Sequence, residues 1–124
     1  QSNEPMESKV FGRRLIYSHH IISKTKRRDI LRLSSDCKLT GYMKIGWPGL
    51  IIVEGLEEDC LSFYDEIRRW AWQYLVVRGE TRENIKGDAA VDDIRCFDSF
   101  QEIDDMSTVA DHCRRVGLES LFMT

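Results

Sequence analysis

Hydrophobic and polar positions change period several times along the chain. Residues 10–22 are rich in aliphatic and aromatic side chains, and their centre, Leu15-Ile16-Tyr17, predicts a first strand. Ser23 or Thr25 can then cap a helix. Its apolar positions recur near helical spacing at Ile30, Leu31, Leu33 and Cys37. The pattern predicts a helix with its basic residues toward the opposite side.

A hairpin and a second helix follow. Two β-rich runs, 40–45 and 50–54, flank Gly46-Trp47-Pro48-Gly49, whose glycines and proline suit a turn. Gly55 ends the second run, and three acidic residues begin a helix in the charge orientation that the helix dipole favours. The residues predicted to be buried on this helix are Leu61, Phe63, Tyr64 and Ile67.

The rest of the chain is predicted from weaker signals. Residues 73–78 suit a fourth strand, and the acidic stretch 79–93 suits a mobile loop. Another short strand is predicted within 95–103. Ser107 can cap a last helix that runs to Val116 and stops at Gly117. After it, the side chains that would pack the chain end against the core are Leu118, Leu121 and Phe122.

The order of elements predicts the fold class. Strand, helix, strand, strand, helix, strand is the split β-α-β arrangement of ferredoxin-like α+β folds, here with a C-terminal strand and helix extension. Both main helices would cover one face of the sheet. The other face would be covered by the extension, left to solvent or used for binding. RNA-recognition domains bind there through exposed aromatic side chains. Tyr17 and Tyr42 are the nearest candidates, although packing in the core or at an edge is favoured for both.

Length and composition set the limits. A chain of 124 residues makes one domain, predicted over 9–124, with the polar residues 1–8 interpreted as a linker or as a cut made in a longer protein. No apolar run is long enough to span a bilayer. The four cysteines form no C-x-x-C pair, so they are interpreted as reduced intracellular thiols of a protein in the nucleus or the cytoplasm.

The charge is unevenly distributed. The net charge is −3, yet residues 9–38 contain nine basic and only two acidic side chains. A basic segment on an acidic chain predicts a local basic site at most, because nucleic-acid-binding domains are often basic as a whole.

Catalysis and metal binding find little support. His19 and His20 lie beside Ser18 and Lys24, but neighbouring side chains on a strand point to opposite faces, and no carboxylate partner is evident. His19, His20, His112 and Cys113 do not match known zinc spacings. Gly46-Trp47-Pro48-Gly49 leads into a strand, so it is not a phosphate loop. We therefore predict a monomeric binding protein without enzyme activity, metal or cofactor.

Two segments carry a resemblance to a known family. Ile16-Tyr17-Ser18-His19-His20-Ile21 with the basic helix after it, and residues 46–55 with their Val53-Glu54-Gly55 step, resemble the C-terminal domain found behind an RWD domain, as in RWD domain-containing protein two. The same domain family includes the C-terminal part of the spliceosomal pre-mRNA-processing factor three. The likeness extends from about residue 14 to 122. It implies a ferredoxin-like domain and, in the spliceosomal branch, binding of small nuclear RNA, whereas the Ser-His-His-Ile segment favours the RWD-linked branch.

Two functions stay open at this point. If RNA is bound, arginine and lysine would contact phosphate and histidine would stack on a base or hydrogen-bond to it. The residues expected to do so are His19, His20, Lys24, Lys26, Arg27 and Arg28, supported by Arg13 and Arg14. The alternative is a protein-interaction module. Trp47, which stands where relatives often have a lysine, is either folded back over the hairpin, which we favour, or an exposed anchor for a protein partner.

Overall fold

The computed structural model describes residues 9–122. Five strands form one sheet: β1 (Val10–Ser18), β2 (Thr40–Lys44), β3 (Gly49–Leu56), β4 (Leu75–Asn84) and β5 (Phe100–Ile103). The helices are α1 (Lys24–Asp36), α2 (Glu57–Ile67), the one-turn α3 (Val91–Ile94) and α4 (Met106–Arg115), followed by a 3₁₀ turn (Glu119–Phe122). No helix among these residues is long and apolar enough to cross a membrane.

The strand order confirms the predicted fold class. Across the sheet the order is β4-β1-β3-β2-β5. The first four strands pair antiparallel, as in a ferredoxin-like split β-α-β sandwich, and β5 adds at the edge parallel to β2. The predicted hairpin is therefore confirmed as β2 and β3.

Helices α1 and α2 cover one face of the sheet. Ile30 on α1 and Phe63 on α2 are buried against inward-facing strand residues such as Ile16 and Ile51. Of the two predicted caps, Ser23 is the one found: its side chain accepts a hydrogen bond from the backbone N–H of Lys26. Leu61 was predicted to be buried, which is wrong: it lies on the solvent side of α2.

The C-terminal extension covers most of the other face. Val109 and Cys113 of α4, with Leu118 and Leu121 after it, pack against the sheet residues Leu15, Tyr42, Leu50 and Ile52. Of the three possibilities left open for this face, coverage by the extension is therefore the one found. Because of it, Tyr42 is a core residue.

The predicted loop at 79–93 is wrong for its first six residues. β4 continues to Asn84 because β1 is long enough to pair with it from Val10 onward. Charged side chains obscure this strand in the sequence, since an edge strand carries them on its exposed positions. Arg82 of β4, for example, is ion-paired with Glu57 at 2.8 Å.

Candidate functional site

The candidate site lies at one end of the sheet, where β1 ends and β3 and β4 begin. We call this the hairpin end and define it as residues 18–23, 46–49 and 73–75. Ile21 and Gly46 exchange two backbone hydrogen bonds there, of 3.0 and 2.8 Å, which hold the segment after β1 against the β2–β3 turn. The helix α1 starts directly after this segment, so its first turn lies at the same end.

Two pairs of aromatic rings are exposed at the hairpin end. The ring of His20 lies 4.3 Å from that of Trp47, and the Trp47 residue is 68% exposed. The ring of His19 is stacked on that of Tyr74 at 4.7 Å, with 15° between the ring planes. The two histidines thus face different neighbours, as alternation along an extended segment requires. Nδ1 of His20 is buried and has no hydrogen-bond partner within residues 9–122.

A further ring and cation extend this surface along the sheet. Tyr17 shares the face of β1 with Leu15 but lies half-buried, and its ring meets that of Tyr74 edge-on at 6.0 Å. The guanidinium of Arg78 lies over the Tyr17 ring at 4.3 Å. Arg78 is the extra residue of a bulge in β4, opposite Leu15 and Ile16. Such bulges re-aim side chains, here toward an aromatic face.

The four basic residues predicted on α1 differ in availability. Lys24 is exposed, and no ion pair or hydrogen bond is recorded for its side chain in the described part of the chain. Arg28 is exposed and has only a 3.4 Å contact with the neighbouring Asp29. Lys24 and Arg28, four residues apart, lie on the same side of the helix. A ligand could reach Lys24 without displacing a contact, and at Arg28 it would displace only the exposed contact with Asp29.

Lys26 and Arg27 are already engaged. The ammonium of Lys26 lies 4.5 Å from the centre of the Trp72 ring and donates to the carbonyl of Ala71. Arg27 makes two hydrogen bonds to Glu102, of 2.9 and 2.6 Å. These bonds hold the pKa of Glu102 below its usual range. The Arg27 pair joins α1 to β5, so it has a structural role besides its charge.

Arg13 and Arg14 lie inside the fold, contrary to the supporting role predicted for them. The side chain of Arg13 is buried, with Nε 3.1 Å from a carboxylate oxygen of Glu54. Arg14 is buried on the other face and is paired with Glu57 of α2. Phosphate contact would remove each guanidinium from a buried partner, which is costly. We therefore leave both arginines out of the candidate site.

Trp47 corrects another expectation. The favoured interpretation folded its ring back over the hairpin, but the exposed alternative is the one found. The space over the hairpin is occupied by the segment around Ile21. A Cβ atom added at Gly49 would lie 2.5 Å from the Ile21 side chain, so backbone and side chain are already in close contact there. The indole is therefore directed outward.

Sequence patterns alone missed Trp72, Tyr74 and Arg78 as members of this surface. Each lies before or within β4, which is far from His19 in the sequence and adjacent to β1 only through strand pairing. A small cavity of about 50 Å³ records this proximity, since it is lined jointly by His19, Lys26 and Trp72. Only the register of β1 with β4 could have revealed the arrangement.

The two neighbouring histidines lack the partners that acid–base chemistry would require in the described part of the chain. Neither His19 nor His20 has a recorded hydrogen bond between its ring and a carboxylate within residues 9–122. Across the same residues, no cluster of three or more His, Cys, Asp or Glu side chains is placed to hold a metal. The absence of enzyme activity stays a prediction.

Comparison with known proteins gives a family and, among the curated proteins, distant relatives. The family model described as "Small nuclear ribonucleoprotein Prp3, C-terminal domain" matches residues 14–124. Among curated proteins, "Phomoidride biosynthesis cluster protein F" of Fungal sp. (strain ATCC 74256) is 26% identical over 74 residues. That match covers 57% of this chain and 25% of the relative, so the chain spans only about a quarter of that protein's length.

Solved structures with similar folds include two acylphosphatases. That of Bacillus subtilis is 16% identical with a TM-score of 0.49, and the match covers 75% of this chain and 98% of the enzyme. That of Coxiella burnetii is 11% identical with a TM-score of 0.47, over 76% and 93% of the two chains. Full-length HypF in its phosphate- and nucleotide-bound form is 16% identical with a TM-score of 0.47, over 81% of this chain and 12% of HypF.

Proposed function

Since the chain belongs to the family of the small nuclear ribonucleoprotein Prp3 C-terminal domain, we propose that it is a non-catalytic binding module that holds RNA at the hairpin end of its sheet. The family supports a module of the small nuclear ribonucleoprotein type. RNA as the ligand, a nuclear location and membership of the RWD-linked branch are parts of the proposal. The last of these rests on Ser18-His19-His20-Ile21.

One observation carries the proposal: exposed rings and exposed cations lie at the same end of the molecule. Trp47 and Tyr74 are exposed by 68% and 39%, and each is paired with one of the two histidines. Lys24 lies on the helix turn that follows the same segment. Aromatic surfaces beside a cationic groove are what single-stranded nucleic acid requires, because bases stack on rings while phosphates pair with lysine and arginine.

The covered sheet face supports this location over the usual one. RNA-recognition domains bind on the face opposite their helices, but here α4 and the residues after it occupy that face. Tyr42, which would be central in such a surface, is buried against Phe97 and His112. The uncovered rings lie at the end of the sheet instead. RNA would therefore contact the end of the sheet and the start of α1.

A protein ligand is the second candidate, and a specific observation favours it. Ile22 is 53% exposed and Trp47 is 68% exposed, and both belong to the hairpin end. Large apolar side chains of this kind are frequent anchors in protein interfaces. An apolar partner would need these two residues but not Lys24 or Arg28. The two candidates therefore differ in the substitutions to which they respond.

The test is a titration with single-stranded RNA of about 12 nucleotides, within the usual range of site sizes. We expect wild-type binding that weakens steeply with salt, and binding reduced about tenfold or more by Lys24→Gln with Arg28→Gln, because two phosphate contacts are lost. The matched control is Lys9→Gln with Lys86→Gln. It removes the same charge at the opposite end of the sheet, where Lys9 and Ile85 are hydrogen-bonded.

The outcomes separate the candidates. Equal loss in the site variant and in its control would mean that RNA responds only to net charge, which contradicts a site at the hairpin end. Absence of binding up to about 10⁻⁴ M, the weak end of non-specific nucleic-acid contacts, would reject RNA as the ligand. The protein-ligand candidate would then be tested with Trp47→Ala and Ile22→Ala.

A further inference from the structure

Lys44 is a buried lysine at the hairpin end whose charge has no role in the proposed RNA contacts. The residue is only 6% exposed. Its ammonium donates hydrogen bonds to the carbonyl oxygens of Trp47 at 3.3 Å and Pro48 at 3.0 Å. A buried charge is costly unless it is hydrogen-bonded, so the two carbonyls explain how it is retained. Both belong to the turn that carries the exposed indole.

The turn is held at two points. Lys44 binds it from the sheet, and Ile21 binds it from the side through the paired backbone hydrogen bonds with Gly46. The Ile21 contact also sets the neighbouring His20 ring 4.3 Å from the indole. Lys44 acts on the following residues, Trp47 and Pro48, which the Ile21 contact does not reach. Without Lys44, the Trp47 carbonyl would have no recorded partner within residues 9–122.

One further charged group acts on Lys44 from a neighbouring element. Asp105 caps α4, and its pKa is lowered mainly by hydrogen bonds from Ser107 and Thr108 and to a smaller extent by the charge of Lys44. The ammonium therefore lies in the field of a carboxylate on the covered face of the sheet. Lys44 shares a face of β2 with Tyr42, the face that the C-terminal extension covers, so it lies on the side of the sheet opposite α1.

We propose that Lys44 is a positioning residue of the site: it holds the Trp47 turn so that the indole stays exposed and set against His20, and it makes no contact with RNA itself. This role rests on the proposed function. A ring that is already ordered loses less conformational freedom when a base stacks on it. Loss of Lys44 would therefore weaken binding by releasing the ring, with the phosphate contacts intact.

Salt dependence distinguishes a positioning lysine from a phosphate-binding one. Each phosphate contact to single-stranded nucleic acid contributes about 0.7 to the slope of log affinity against log salt. Lys24→Gln should lower that slope by about this amount. Lys44→Met, which keeps the length of the side chain but removes its donors, should leave the slope unchanged and weaken binding roughly three- to tenfold, the cost of ordering one released side chain.

The indole provides a second, independent readout. Trp70 and Trp72 donate their indole N–H groups to Glu66 and to the carbonyl of Ile67. The Trp47 indole N–H donates to no group among residues 9–122, so its NMR signal is expected to differ from those of Trp70 and Trp72. NMR relaxation of the Trp47 indole should show greater motion in Lys44→Met, and the His20 ring protons should shift as the contact between the two rings is lost. Lys44→Arg, which keeps the charge and the donors, should restore both readouts in part.

Each result decides the question. If wild type binds RNA and Lys44→Met changes neither affinity nor indole order, the role of Lys44 is rejected while the proposed function stands. If Lys44→Met lowers the salt slope, Lys44 contacts phosphate, which also rejects positioning. If wild type binds no RNA, the proposed function fails, and the site role of Lys44 fails with it.

If Lys44→Met does not fold, the proposal can be tested by a measurement on the wild-type protein. The ¹⁵Nζ signal of Lys44 should be detectable through slow hydrogen exchange and should stay unchanged at RNA saturation, whereas that of Lys24 should shift. A shift of Lys44 Nζ equal to that of Lys24 would overturn the proposal.

Discussion

Glu54 shows how a single residue can organise this fold. Its carboxylate is fully buried and accepts hydrogen bonds from four groups: the guanidinium of Arg13, the hydroxyl of Thr40, and the backbone N–H groups of Cys96 and Phe97. These bonds tie β3 to its neighbours and to the segment before β5. The glutamate of the Val53-Glu54-Gly55 step, part of the resemblance to the family, therefore has a structural role in this fold.

Glu54→Gln should destabilise the protein strongly. The amide keeps the shape but turns one acceptor into a donor facing backbone N–H groups, and it removes the only fully buried charge that faces Arg13 among the described residues, leaving the half-exposed Glu83. Breaking such a pair costs about 3–5 kcal/mol. Chemical denaturation would measure the free energy of unfolding, with Asp88→Asn on an exposed position as the control, expected within about 0.5 kcal/mol of wild type. A loss below about 1 kcal/mol for Glu54→Gln would contradict this account.

Sequence could not reveal these partners, although it located the residue. Cys96 and Phe97 lie 42 and 43 positions after Glu54, and Arg13 lies 41 positions before it. No local pattern relates residues at such separations. Patterns also placed His19, His20 and Lys24 in the candidate site, but they included Arg13 and Arg14 as well. A basic residue has the same appearance in the sequence whether its charge is exposed or buried in a pair.

At the scale of elements, the prediction succeeded where one face of a helix or strand is apolar. The order of the first four strands and two helices followed from such alternation. It failed for the second half of β4, whose polar residues are held by backbone pairing with β1 rather than by burial. The sequence left the position of the C-terminal extension open, because an apolar stripe predicts that the extension packs on a surface but not which surface.

The extension should be held to the sheet partly by His112. Its Nδ1 lies 2.7 Å from the Tyr42 hydroxyl and its Nε2 lies 2.9 Å from the Cys96 carbonyl oxygen. Tyr42→Phe removes one hydrogen bond, which typically costs about 1 kcal/mol, and leaves Nδ1 of the partly buried His112 without this partner. We expect Tyr42→Phe to accelerate amide hydrogen exchange in α4 but not in α2, because α2 packs on the other face of the sheet. Equal acceleration in both helices would instead indicate global destabilisation.

At the scale of the whole molecule, charge and burial act separately. In the basic segment at 9–38, Arg13 and Arg14 are paired inside the fold and Arg27 is paired with Glu102 at the surface, so its charge count overstates the surface available to an anion. Burial also changes the chemistry of the cysteine thiols. Burial raises the pKa of Cys60 to about 12 and that of Cys113 to about 11.

These thiols should make the protein less stable at alkaline pH. The folded state keeps Cys60 protonated, while the unfolded state loses the proton near its ordinary pKa of 9.0. Above that pH the unfolded state binds fewer protons, so the free energy of unfolding falls as pH rises toward about 12. Cys60→Ala removes this contribution. The substitution should lower the free energy of unfolding at pH values below 9. Above pH 9, the difference in this free energy between the variant and wild type should narrow. Chemical denaturation at pH values on both sides of 9, under reducing conditions, would measure the difference. A difference that stays constant with pH would mean that the Cys60 thiol is accessible to water in the folded protein, which its contact with the backbone of Gly12 in the core argues against.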